Sequence, residues 1–168
     1  MSEIDTAEIL EEEAFLIETS GEIPEVAYHA ALRHLTEDAD GPRLELGPGE
    51  IDRLKAAVVA GYRRILLRDL TPQNRTEPHF RGLERAADNW ERLLRFAERE
   101  GMKVGAIRRE AGDALVGFLN QAAADVAEDR PAEIRCGPER LADLIAGLGV
   151  SQERLPDDWP TLVLGGIL

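Results

Sequence analysis

Apolar side chains recur along most of this chain at i, i+3, i+4 and i+7. That spacing gathers them on one stripe of an α-helix. Six segments show it. Residues 6–19 form a short acidic helix, and residues 24–37 a second, with Pro24 suited to a first helical position. A turn-rich stretch from Asp40-Gly41-Pro42 to Pro48-Gly49 leads into a longer helix at about 50–70. The fourth, at about 78–100, carries Leu83, Ala86, Ala87, Trp90, Leu93, Leu94 and Ala97 on one stripe, with Gly101 as its cap. The fifth, at about 104–128, aligns Val104, Ile107, Ala111, Ala114, Leu115, Phe118, Leu119, Ala122 and Val126. The sixth opens at Gly137-Pro138, is lined by Leu141, Leu144, Ile145 and Leu148, and ends at Gly149. Arg43–Leu46 and Ile134–Cys136 could each form a very short extended piece, and the tail 161–168 could pair as an edge strand. No internal repeat and no low-complexity linker is visible. The expected fold is all-α: a single compact bundle of about six helices over residues 1–168. The apolar tail 161–168 is expected to dock on the core, since a free apolar tail invites aggregation.

Composition narrows the class. With 168 residues and 43% hydrophobic content, the chain can bury about 70% of its unfolded surface without disulfides or metal. One cysteine excludes an intramolecular disulfide. The acidic start MSEIDTAEILEEE has no basic region before an apolar run, and no apolar run approaches the roughly 18 residues of a membrane helix. A cytoplasmic protein is expected. The net charge of −13 argues against a nucleic-acid or anionic-membrane binder.

The charge is unevenly placed. Residues 1–50 hold 14 acidic and 2 basic side chains, a net of −12. Residues 51–110 hold 9 and 14, a net of +5, and residues 111–168 hold 10 and 4, a net of −6. The basic centre is almost wholly arginine. Two readings follow. The acidic first helix can lie near the basic pair of helices, and charges such as Glu91 and Arg95 can pair along one helix. Alternatively, Arg63, Arg64 and Arg68, followed by Asn74, Arg75, His79, Arg81 and Arg85, can hold a phosphate or carboxylate at a helix–loop–helix corner.

Several motifs read as ordinary structure. Leu67–Asn74 resembles the catalytic loop of protein kinases over eight residues. Leu67 stands where that family has His, and the glycine-rich loop, V-A-I-K and D-F-G are all missing. The stretch therefore reads as a helix end and a turn at Pro72. Glu25, His29 and Arg33 form a salt-bridged row; the Glu-x-x-His pairs of a di-iron bundle are absent. Cys136 lies near a helix start, where a thiol pKa can fall, yet no histidine follows residue 79, so it reads as a small buried hydrophobe. Gly105, Gly112 and Gly117 in the fifth helix imply close helix contact or a bend.

No nucleophile–base set, metal-ligand set or nucleotide loop emerges, so no catalytic residue, metal or cofactor is assigned. The expectation is a non-enzymatic protein–protein interaction module. Its partner, another protein or a second copy, would meet the acidic helix through Glu8, Glu11 and Glu12, or the tail through Leu162, Leu164 and Ile167. The alternative is a binding protein or enzyme that takes an anionic small ligand, a phosphate or carboxylate, at the central arginines.

Overall fold

The computed structural model describes residues 3–21, 23–37, 45–71, 82–129, 134 and 136–162. These fold as α-helices joined by turns, and no strand occurs among them. The helices are α1 (Glu3–Thr19), α2 (Pro24–Thr36), α3 (Pro48–Asp69), α4 (Gly82–Glu100), α5 (Gly105–Ala127) and α6 (Pro138–Gly147). A short 3-10 turn covers Gln152–Arg154, and residues 159–162 turn helically again. The all-α reading holds. Pro24 and Pro138 open α2 and α6, where the lost N–H would have had no helical partner. Gly101 and Gly149 adopt positive φ, 67° and 68°, just past α4 and α6. A side chain there would be strained, and these glycines let the helices stop.

The chain divides into two compact units, residues 1–64 and 65–168. In the first, α1 packs on α2. Ala14 and Ile17 of α1, Tyr28, Ala31 and Leu35 of α2, and Leu54, Ala57, Val58 and Tyr62 of α3 are buried. Gly61 marks a close approach. A Cβ there would lie 3.1 Å from Pro24 Cγ and 3.2 Å from the Ile17 carbonyl oxygen. α3 therefore runs tight against the point where α1 ends and α2 begins. In the second unit α4 packs on α6. Leu83, Ala86, Ala87, Trp90, Leu93, Phe96 and Ala97 form the inner stripe of α4. Phe96 is fully buried where periodicity favoured Leu94, which is half-buried. On α5 the stripe runs from Ile107 to Ala122, but Val126 is exposed. Asp125 takes the inward position instead and accepts a 3.0 Å hydrogen bond from Gln121.

The three glycines of α5 behave differently. A Cβ at Gly112 would lie 3.3 Å from Val150 Cγ2 and 3.4 Å from the Leu148 carbonyl oxygen. Nothing lies within 4 Å of a Cβ at Gly105 or Gly117, so close contact explains only Gly112. This contrast sets a test. Gly117→Ala should raise stability by roughly 0.5–1 kcal/mol, because alanine loses less backbone entropy in an open helical site. Gly61→Ala should lower it by about 1–3 kcal/mol, since the Ile17 backbone oxygen cannot give way. Urea unfolding of the two variants beside the parent checks both signs.

Candidate functional site

Three groups of side chains carry the chemistry of the described residues. The first is α1. At about 100° per residue, Ala14 and Ile17 point inward while Phe15 lies roughly 200° from Ile17. Phe15 is 62% exposed and Leu16 57%. Glu8, Glu11 and Glu12 are exposed too, and they stand seven, four and three residues before Phe15 on the same face. The acidic residues picked from sequence thus share a surface with two large apolar side chains that the periodicity reading passed over. A signal was present: the run Ala14-Phe15-Leu16-Ile17 is apolar around the whole helix, and one inward stripe cannot take all four.

α3 fixes α1 in this attitude. Arg53 donates to both carboxylate oxygens of Glu11 at 2.9 Å and reaches Glu18 at 3.5 Å. The hydrogen bond from Arg53 holds the Glu11 carboxyl below its ordinary range. Arg64 donates through Nε to the Glu18 carbonyl and through Nη2 to the Ser20 carbonyl, both at 2.8 Å. These are carbonyls at the end of α1 that no helical N–H can reach. The expected closeness of the acidic helix to basic α3 is therefore found, and Arg64 serves as a helix cap. Nearby, Tyr62 donates to Glu25 at 3.0 Å, and His34 lies 3.7 Å from Glu13. His29 is exposed and stacks obliquely on Tyr28. His29, Leu32, Arg33 and Thr36 of α2, with its C-cap Glu37, line a shallow groove.

The second group is the arginine corner. Asn74, Arg75, His79 and Arg81 lie outside the described residues. Arg68 and Arg85 converge on Asp69, each with Nη2 3.4 Å from Oδ1. Both guanidiniums are about half exposed, whereas the Asp69 side chain is only 1% exposed. Asp69 Oδ2 has no hydrogen-bond partner among the described residues. Burial pushes the Asp69 carboxyl above its ordinary value of 3.8, against the pull of the two arginines. The folded state therefore takes up this proton more readily than the unfolded chain. The resulting stability is full below about pH 3.8 and is lost as pH rises through the raised value. Asp69→Asn removes that loss. Urea melts from about pH 4 to about pH 7 should show the stability difference moving in the variant's favour as pH rises. A difference constant with pH would contradict the assignment.

The third group is in the second unit. Arg140 of α6 bridges Asp88 and Glu91 of α4, reaching Glu91 at 3.1 Å. Glu91 thus pairs across helices, because Arg140 comes within reach where α6 packs on α4, and not with Arg95 along its own helix. Arg154 donates to Asp113 at 2.8 Å. Cys136 is buried, and burial pushes its thiol up to about 11, with Glu84 adding to the shift. The helix start does not activate it. A thiol-specific disulfide reagent at neutral pH should label Cys136 only as fast as the protein unfolds. Prompt labelling of the native protein would contradict this. Leu162 is buried, while Leu164 and Ile167 lie outside the described residues.

No group of three or more His, Cys, Asp or Glu among the described residues is arranged to hold a metal ion. No helix among them is long and apolar enough to cross a membrane. Residues 5–150 match the family model described as "Repeat of unknown function (DUF7826)". The chain belongs to that family. The match is one span covering most of the chain. No curated protein and no solved structure matches the chain.

Proposed function

We propose that this member of the repeat family is a non-enzymatic binding module, and that the outer face of α1 is its docking surface. The observation that carries the reading is the exposure of Phe15 and Leu16 on a helix face bordered by Glu8, Glu11 and Glu12. Large apolar side chains held side by side in water favour an interface. A border of carboxylates selects the partner's chemistry: an apolar helix face or groove edged with lysine or arginine. The apolar centre supplies affinity, and the charges supply orientation and rejection of acidic competitors. Glu11 is already held by Arg53, which leaves Glu8 and Glu12 to meet the partner. A lone buried cysteine suits a fold that works in the reducing cytosol. The anion-site alternative is weaker, since Asp69 already engages Arg68 and Arg85 and Arg64 caps α1.

A synthetic helical peptide with a leucine stripe bordered by lysines tests the reading. Its addition should shift the backbone amide resonances of residues 8–19, and a glutamate-bordered version of the same peptide should not. Phe15→Ala and Leu16→Ala should each weaken binding about tenfold, the loss of roughly 1.4 kcal/mol of apolar burial. Equal binding of both peptides, or shifts confined to other helices, would refute it.

A further inference from the structure

We infer that the partner seated on α1 is a second copy of this chain, docking through its α4–α5 corner in a head-to-tail contact. This rests on the reading of α1 as a docking surface and names its occupant. Residues 92–110 hold six basic and three acidic side chains, a net of +3 in a chain of net −13. Arg95, Lys103 and Arg109 are exposed there and make no ion pair among the described residues. Between them lie Met102 and Val104, both half-buried. The corner is thus the chemical counterpart of the α1 face: an apolar centre with a basic border against an apolar centre with an acidic one.

The backbone adds a second element of fit. Val104, at the start of α5, provides no side-chain cap, and Gly105 and Ala106 are exposed. The first amides of this 23-residue helix, at the positive end of its dipole, thus lack a side-chain cap. A carboxylate such as Glu8 or Glu12 from another copy can accept from them as a cap. The side chains named on both faces are exposed or half-buried. Because the faces are unlike, each copy keeps one of each after pairing, and association can continue.

Sedimentation velocity on the full chain tests this. At low salt the average mass should rise with concentration above the 18.5 kDa monomer, and high salt should return it to monomer. Two double variants separate the faces. Glu8→Arg with Glu12→Arg removes the acidic border, and Arg95→Glu with Arg109→Glu removes the basic one. Each alone should stay monomeric under conditions where the parent associates. Their mixture should form a one-to-one heterodimer and nothing larger, because one retains the corner and the other the α1 face. Milder Glu→Gln and Arg→Gln versions should weaken association about tenfold and guard against a folding defect. A parent that stays monomeric at low salt, or a mixture that does not pair, overturns the inference. If the lysine-bordered peptide still binds α1 in that case, the docking surface stands and only the second copy falls. If the peptide fails as well, both fall.

Discussion

Two arginines of α3 set the attitude of α1, and the candidate site depends on it. Arg64 takes the Glu18 and Ser20 carbonyls, and Arg53 forks onto Glu11 while reaching Glu18. These contacts are at or near the surface, so they add little net stability; exposed pairs give about 0–1 kcal/mol. The burial of Ala14, Ile17, Leu54, Ala57, Val58 and Tyr62 does that work. The guanidinium forks contribute direction. A forked donor on a carboxylate and a second fork on helix-end carbonyls allow little rotation about the helix axis. With α1 locked at both Glu11 and its C-terminal end, Phe15 is held facing water. Gly61 belongs to the same constraint, since a Cβ there would lie only 3.1–3.3 Å from Pro24 and the Ile17 carbonyl oxygen.

Helix positions were legible because the signals were local. Prolines and glycines bounded α2 and α6, and the stripe of α4 stood out at once. The placement of individual side chains was less legible where a helix has apolar residues to spare. Periodicity says that an inner stripe exists; it does not say how wide it is. Phe96 and Leu94 both sit within reach of the α4 stripe, and packing decided for the aromatic ring. Val126 sat in phase with α5, yet the core ends before it, and Asp125 finds a partner in Gln121 inside. Charge pairing was harder still. An i, i+4 rule sees only one helix, so it offered Arg95 to Glu91, while Arg140 arrives from α6, 49 residues away.

The arginine corner illustrates the same limit at the level of function. A run of cations in sequence is a statement about composition, and its meaning depends on which carboxylates and carbonyls the fold brings near. Arg64 turned to the end of α1. Arg68 and Arg85 turned to Asp69, an acidic residue that the kinase-like octet had made conspicuous for another reason. A buried carboxylate flanked by two half-exposed guanidiniums has its electrostatics already committed. Its raised affinity for a proton comes from desolvation, which outweighs the opposing pull of the two arginines at 3.4 Å.

The acidic charge of the first unit then acquires a sharper physical role than solubility. Exposed phenylalanine beside exposed leucine is a hazard, since any apolar surface can stick to it. Carboxylates bordering such a pair act as gatekeepers: they repel acidic surfaces, which dominate this chain itself at −13, and they raise the cost of indiscriminate collapse. A face protected in that way stays open only to a surface that brings both apolar area and positive charge. The surface proposed for that role is the α4–α5 corner, where exposed Arg95, Lys103 and Arg109 share a segment with half-buried Met102 and Val104 and a helix start without a side-chain cap. In the proposed pairing, the acidic excess disfavours like-with-like contacts between copies and leaves the unlike one favourable. A net charge that looks like a barrier to association thereby becomes the means of choosing its geometry.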